Sequence, residues 1–446
     1  MYVLKTIKLS KKKLNENKII LLFDTSTSAP CLYSFLFSLS ILRFQSLSTQ
    51  QADLIAVKIW YEYWYTKHCT TFCQSFLTST YDPDIYLNEI DNFIFFLENY
   101  NDLKFNTMHY KSNQWFQKNY STISQRMRSL FKFFTYLLDE FWNLRHQSYP
   151  LNEITNRRKR IDLFLNNKRK IFSKFNRYAL TVNNGIIPNF KSLDDEMLTK
   201  LYEIIRPSRE NKINPHNPFK SKTSQFRNFL LVHLMLNYGL RIGELMLISE
   251  KSIKKSINYD KYNLIITNTD DEFDSRSRKP HIKNAQSHRV IELSKQDYQL
   301  INIYINSIRK TSTTQILFTS FTPPYPALSY STINAIFKKI DIKFRTLYPH
   351  YFDNEKLYGT LEKFTPHTCR HTWAYITLAF ALEKHKKDSY NQSLNNNIME
   401  KAQEDLRILG GWSMNSQMPK YYAKRFIVES SNIINLQRIS QELWEN

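Results

Sequence analysis

Downstream of Tyr120, Met127, Leu130, Phe131, Phe134, Leu137, Leu138 and Phe141 recur at intervals of three and four residues. That periodicity puts them on one stripe of a helix and leaves Arg126, Arg128 and Lys132 largely off it. A chain organised around such an element must bury one helical face and keep another basic. The same apolar spacing runs through Leu87, Ile90, Phe93, Ile94 and Leu97, after a turn at Asp82-Pro83-Asp84 in which Asp84 is a candidate helix cap. Further helices are predicted from Leu198 to Ile205, from Ser224 to Asn237, and over 331–340, 369–384 and 396–409, with a closing amphipathic helix from Ser430 to Trp444. Residues 262–266 and 289–293 read as strands, joined across the polar stretch 268–288. The expected fold is therefore mainly α with a small antiparallel β-sheet.

Charge narrows the class of partner. Lys plus Arg number 62 against 40 Asp plus Glu, a formal net charge of +22 in 446 residues. That excess opposes compaction unless a polyanion or counterions neutralise it, which makes nucleic acid the natural first partner. With 6 Gly, 14 Pro and 42% hydrophobic residues the chain is neither collagen-like nor of low complexity. Cys31, Cys69, Cys73 and Cys369 show no zinc-site spacing, so no metal is expected and a reducing, cytoplasmic compartment fits best. The uncharged stretch 25–42 contains Pro30 and many Ser and Thr and lacks the marks of a signal peptide; it reads as a buried helix, and no membrane association is expected.

The clusters Arg157, Arg158, Lys159, Arg160 and Lys168, Arg169, Lys170 repeat the basic theme of Arg126, Arg128 and Lys132. Phosphate contact is preferred here to a merely solvated face. Residues 85–182 thus read as a helical DNA-binding domain, and 183–223, with Gly185, Pro188, Pro207, Pro215 and Pro218, as a linker to a second domain at 224–446. For residues 1–84, a basic arm that reaches DNA and a small helical domain are equally consistent with the pattern.

The few glycines cluster around charged and aromatic side chains: Gly239 and Gly243 flank Arg241, and Gly410 and Gly411 precede Trp412. Four segments belong together: Asn237-Tyr-Gly-Leu-Arg-Ile-Gly-Glu-Leu245, Lys283-Asn-Ala-Gln-Ser-His-Arg-Val-Ile-Glu-Leu293, Thr365-Pro-His-Thr-Cys-Arg-His371 and Leu409-Gly-Gly-Trp-Ser-Met-Asn-Ser-Gln-Met-Pro-Lys-Tyr-Tyr422. In this order they resemble the GLRxxEL box, the K(T/N)xxSxRxVxL hairpin, the HxxR box and the LG(H/W) box of the tyrosine recombinase (phage integrase) family, over about residues 224–425. The resemblance implies a core-binding domain at 85–182 and a catalytic domain that together form a C-shaped clamp on DNA, with a C-terminal tail that docks on a neighbouring protomer.

Chemistry argues the same way. A phosphodiester under attack gathers charge on its non-bridging oxygens, and Arg241 and Arg370 supply rigid, permanently charged donors for them. His367, three residues before Arg370, is the candidate proton-transfer partner, although a core histidine satisfied by one hydrogen bond is its plain alternative. The resemblance assigns Lys283, with Lys279 as fallback, to protonation of the leaving 5′ oxygen, and Trp412 to the position that many relatives fill with histidine. Glu244 and His371 are expected to support these groups, and Arg289 to contact DNA. For the nucleophile, the Ser416, Met418 and Pro419 phase favours Tyr422, with Tyr421 the alternative.

The resemblance implies cleavage and rejoining of duplex DNA through a 3′-phosphotyrosyl link and a Holliday junction, by four protomers and without a catalytic metal or nucleotide cofactor. A mobile-element integrase or transposase in the cytoplasm, nucleoid-associated, with an accessory protein to set direction, is the corresponding expectation. A type IB topoisomerase, which rejoins the original strands, and a DNA-binding protein without cleavage activity are the alternatives.

Overall fold

A computed structural model describes residues 1–8, 18–100, 113–145, 150–182, 191–208, 213–256, 261–276, 278–282, 284–353, 360–389, 398–422 and 424–444. The chain divides into two compact units, Met1–Ile186 and Ile187–Asn446.

The first unit opens with strands β1 (Tyr2–Lys8) and β2 (Lys18–Asp24), paired antiparallel from Tyr2 opposite Asp24 to Lys8 opposite Lys18. The apolar run Ile19–Leu22 is buried in β2. Helices α1 (Leu32–Ser40), α2 (Leu47–His68), α3 (Phe72–Thr78), α4 (Asp84–Leu87), α5 (Ile90–Asn99), α6 (Asn113–Arg145) and α7 (Leu151–Val182) follow. The opening segment is therefore neither an extended basic arm nor all helix. Of the stretch 25–42, only α1 and the short turn after it are helical, and residues 25–30 are exposed.

In α6 the expected stripe is the buried one: Met127, Leu130 and Phe134 are fully enclosed and Leu137 and Leu138 nearly so. Trp60 of α2 lies at the centre, with Phe72, Phe93 and Phe134 edge-on to it at ring distances of 5.8, 5.1 and 4.9 Å. Edge-to-face packing favours this arrangement over face-to-face stacks. Because Trp60 and Phe72 meet Phe93 and Phe134 in one core, no boundary in packing falls at residue 84.

The second unit begins inside the stretch expected to be a linker. Helix α8 (Asp195–Ile205) starts where the Asp194 side chain accepts from the Met197 amide at 2.8 Å, and it buries Met197, Leu201, Ile204 and Ile205 in the second core. Next come α9 (Lys222–Tyr238) and the short α10 (Ile242–Leu245). The sheet β3 (Ile253–Lys255), β4 (Tyr262–Ile266) and β5 (Arg289–Leu293) is antiparallel throughout, with Tyr262 opposite Leu293 and Ile266 opposite Arg289. The helices α11 (Lys295–Ile303), α12 (Tyr330–Leu347), α13 (Pro366–Ser389), α14 (Ile398–Gly410), α15 (Met418–Tyr422) and α16 (Lys424–Trp444) complete it. The fold is mainly α with small antiparallel sheets, and both strands predicted from the sequence occur at the predicted residues. Among the described residues no helix is long and apolar enough to cross a membrane.

Candidate active site

Helix α9 stops at Gly239, which adopts φ +58°, and a Cβ there would also collide with the ring of Trp373. The turn delivers Arg241 to the start of α10, where the Glu244 carboxylate holds it twice, accepting from its amide at 3.1 Å and from Nη1 at 2.5 Å. Arg289 of β5 donates Nη2 to Glu244 Oε2, the oxygen that also accepts from the Arg241 amide, at 3.0 Å and Nη1 to the Ser287 carbonyl at 3.0 Å. Ser287, buried, accepts from Arg241 Nη1 at 3.4 Å and donates to the Gly411 carbonyl at 3.0 Å. Gly411, at φ +61°, lies against the backbone of Gln286 and Ser287, where a side chain would have no room.

Arg370 ties the two glycine turns together. Its side chain is buried near the start of α13, donating Nη1 to the Gly239 carbonyl and Nη2 to the Gly410 carbonyl, the latter at 2.6 Å. Its guanidinium lies 4.4 Å from the ring centroid of Trp412. Trp412 is itself buried, 6.2 Å from Trp373, so it acts as a platform under the arginine. One helical turn before Arg370, His367 is exposed, while His371 is buried.

Arg241, Glu244, Ser287, His367 and Arg370 line a cleft of about 240 Å³ with His281 and Tyr330. Burial pushes the Glu244 carboxyl up, but Arg289, Arg370 and Arg241 outweigh it and hold the carboxyl below the usual range. Partial desolvation of the ring, with Arg370, Lys191 and Arg241 nearby, pulls His367 down; fuller burial with Lys191, His367 and Arg370 pulls His371 down to about 3. Both imidazoles are therefore neutral near pH 7, and an exposed neutral imidazole can accept a proton. The cleft as a whole presents fixed positive charge with a proton acceptor at its rim, which suits a phosphodiester.

Tyr421 of α15 is exposed, its hydroxyl accepts from Lys191 Nζ at 3.2 Å, and its ring meets His371 edge-on at 5.7 Å. The side chain of Tyr422 and the whole of Lys283 lie outside the described residues; Lys279 is exposed. Arg241, Arg370, His367, Glu244 and Trp412 are thus brought together. Arg289 is a buried strut on Glu244 and does not face solvent as a DNA contact would.

The basic residues of the first unit are mostly engaged internally. Lys132 pairs with Asp53 at 2.8 Å, Arg157 with Asp84 at 2.8 Å, Arg158 with Asp139 at 2.6 Å and Lys168 with Asp91 at 2.6 Å. Arg126 lies over the Tyr100 ring, and Arg128 donates to the Ser124 carbonyl. Lys159 and Arg160 are exposed. His281, Tyr330 and Lys191 were not singled out from the sequence. His281 precedes Lys283 by two positions and was open to notice, whereas Tyr330 and Lys191 reach the site only through tertiary packing.

The sequence pattern of the Phage integrase family matches residues 204–379. No curated protein is matched by the chain. Among solved structures, the Tn1549 transposon integrase in complex with circular intermediate DNA is 14% identical at a TM-score of 0.41, covering 84% of this chain and 99% of that one. XerH site-specific recombinase bound to a palindromic difH substrate, in its post-cleavage complex, is 16% identical at a TM-score of 0.35, covering 73% and 85%. XerA recombinase is 13% identical at a TM-score of 0.29, covering 84% and 98%.

Proposed function

We propose that this chain, whose residues 204–379 match the Phage integrase family, is a tyrosine recombinase of that family, the site-specific recombinase of a mobile element acting on duplex DNA. The observation that carries the proposal is the arginine frame: Arg241 and Arg370 on one cleft, Arg241 held by the Glu244 carboxylate and Arg370 by the Gly239 and Gly410 carbonyls. Guanidiniums already oriented need no reorganisation when charge develops on the phosphate, which is where such donors gain most.

In the proposed reaction a tyrosine hydroxyl attacks the scissile phosphorus. The phenolic oxygen forms the new bond to phosphorus, the bond from phosphorus to the 5′ oxygen breaks, the phenol's proton passes to neutral His367, and Lys283 protonates the leaving oxygen. Arg241 and Arg370 bind the two non-bridging oxygens. A 5′ hydroxyl from a partner strand reverses the attack, and two rounds through a Holliday junction in a tetramer exchange two duplexes, with the tail after α15 docking between protomers and an accessory protein setting direction. In the cell the protein would work at the nucleoid.

The box phase makes Tyr422 the nucleophile. The contacts of Tyr421 with Lys191 and His371 favour a second reading, in which Tyr421 attacks. Covalent capture on nicked suicide duplexes made from the DNA flanking the coding sequence, followed by mass spectrometry of the DNA-linked peptide, decides between them. Binding to such a duplex without any covalent link would instead favour the non-cleaving DNA-binding protein, and relaxation of supercoiled DNA without strand exchange would favour topoisomerase chemistry.

A further inference from the structure

We infer that Lys191 is a further catalytic residue of the strand-cleavage step, an ammonium that donates to the Tyr421 hydroxyl and stabilises the charge that gathers on its oxygen during attack. The inference rests on the reading in which Tyr421 is the nucleophile.

The geometry has a direction built into it. An ammonium has donors only, so across the 3.2 Å between Lys191 Nζ and the Tyr421 hydroxyl the phenolic oxygen must accept. The phenol's own proton then points away from Lys191 and is available to a base. As that proton leaves, the accepted hydrogen bond becomes charge-assisted, so it strengthens along the reaction and not before it. The Lys191 ammonium also lies 5.9 Å from the Tyr421 ring centroid, so it meets the side chain at both its oxygen and its ring.

Lys191 is exposed, but its backbone is fixed. Ser192 is buried beside it, and Leu193 is fully buried with its amide donating to Thr372 Oγ1 at 2.9 Å. Thr372 follows His371 on α13 and is itself anchored to the Thr368 carbonyl at 2.9 Å. Asp194 then caps α8. The lysine is thus pinned to the helix that carries His367, Arg370 and His371, although in sequence it stands 230 residues from Tyr421. It also lies before residue 204, outside the segment that matches the family pattern.

Among the described residues, Lys191 and Arg370 act on both His367 and His371 of α13, and Arg241, just before α10, adds to the positive charge at His367. Burial and the neighbouring cations, Lys191 among them, keep both imidazoles neutral, which leaves His367 free to take the proton that Lys191 does not contact. Lys191 transfers no proton; it supplies a fixed positive charge at the nucleophilic oxygen while His367 carries the proton away.

The test uses the full chain and nicked duplexes built from the DNA flanking the coding sequence. Tyr421→Phe and Tyr422→Phe are first compared for covalent capture, and the rate of capture is then followed from pH 6 to 9 for wild type, Lys191→Met and Lys191→Arg, with folding checked by circular dichroism. Loss of capture only in Tyr421→Phe, with Lys191→Met slower by about tenfold at pH 7 and Lys191→Arg restoring most of the rate, is the expected result. Capture through Tyr421 with Lys191→Met keeping the wild-type profile overturns the role of Lys191 and leaves the nucleophile standing. A faster Lys191→Met also overturns it, because the lysine would then hold the tyrosine out of action. Capture through Tyr422, or no capture by wild type on a duplex that it binds, overturns the reading on which the inference rests.

Discussion

In the unit Met1–Ile186, Lys132, Arg157, Arg158 and Lys168 each meet an aspartate, whereas in the cleft of Ile187–Asn446 the three guanidiniums of Arg241, Arg289 and Arg370 surround one carboxylate, that of Glu244. The residue types are the same and the ratio of partners differs. In the first unit the cations are balanced and serve the packing of α5, α6 and α7 on the elements before them. In the second, three guanidiniums share that carboxylate, and the backbone carbonyls of Gly239 and Gly410 accept from Arg370. A carbonyl accepts a hydrogen bond without cancelling charge, so Arg370 stays fixed and still attracts an anion. A basic cluster in a sequence is therefore a weak guide to phosphate contact until its carboxylate partners are known.

The sharpest break of that contrast is Arg370→Met. It should lower covalent capture of DNA by about a hundredfold to a thousandfold and also destabilise the second unit, since the Gly239 and Gly410 carbonyls are left without their donors. Capture rates taken well below the unfolding temperature separate the two effects; a near wild-type rate there would mean that Arg370 only holds the turns together.

Glu244→Gln tests the shared carboxylate. Removing it leaves Arg241 and Arg289 together without that counter-charge, at a cost of about 3 kcal/mol in urea unfolding. The pH dependence has a definite sign. Because the folded carboxyl is held below its usual 4.5, its stabilisation is present above that value and is lost as pH falls through the lower folded one, so Glu244→Gln should flatten the acid limb below 4.5. His371, about 3 when folded against 6.5 otherwise, acts higher up: the unfolded chain takes a proton that the folded chain refuses, so stability declines as pH falls below 6.5. That part of the slope should survive in Glu244→Gln and become shallower in His371→Phe, where His367, also lowered, keeps its share.

What could be read from the sequence follows the same division between local pattern and tertiary partner. The α6 stripe, β4, β5 and the boxes around Arg241 and Arg370 are local, since a helical period or a fixed spacing puts them where they are found. The hairpin of β1 and β2 was not legible: its first strand is lysine-rich, and only burial of the Ile19–Leu22 run against α2 makes it a strand pair. Helix α8 is legible from Leu198 to Ile205, but the prolines around it mark a linker and mask that four of its apolar residues fill the second core. The partner of Arg289 is not visible in the sequence, because Glu244 lies 45 residues away. Lys191 and Tyr330 carry no local signal at all.

Lys132→Met sharpens the comparison from the other side. Asp53 accepts from both Lys132 at 2.8 Å and Ser129 at 2.6 Å, so removing the lysine leaves a largely buried carboxylate with one donor. The expected outcome is a loss of about 1–2 kcal/mol in thermal or urea unfolding, with DNA affinity and covalent capture unchanged. A normal unfolding curve with weakened DNA binding would show that this lysine leaves Asp53 for phosphate.

The smallest effect is expected at Lys159 and Arg160, the two exposed members of the basic run on α7 whose neighbours Arg157 and Arg158 are held by aspartates. If phosphate binding in the first unit belongs to cations without an aspartate partner, Lys159→Ala with Arg160→Ala should leave stability unchanged and weaken DNA binding evenly across sequences. The slope of log affinity against log salt should then become shallower by about one for each residue, because a phosphate that no side chain neutralises keeps its condensed counterion. A control with Arg158→Ala should move stability through Asp139 and Asp162 and leave the salt slope alone. The reverse pattern, a salt slope that responds to Arg158 and ignores Lys159 and Arg160, would mean that the aspartate pairs open on DNA and that balance in the free protein does not mark a cation as structural.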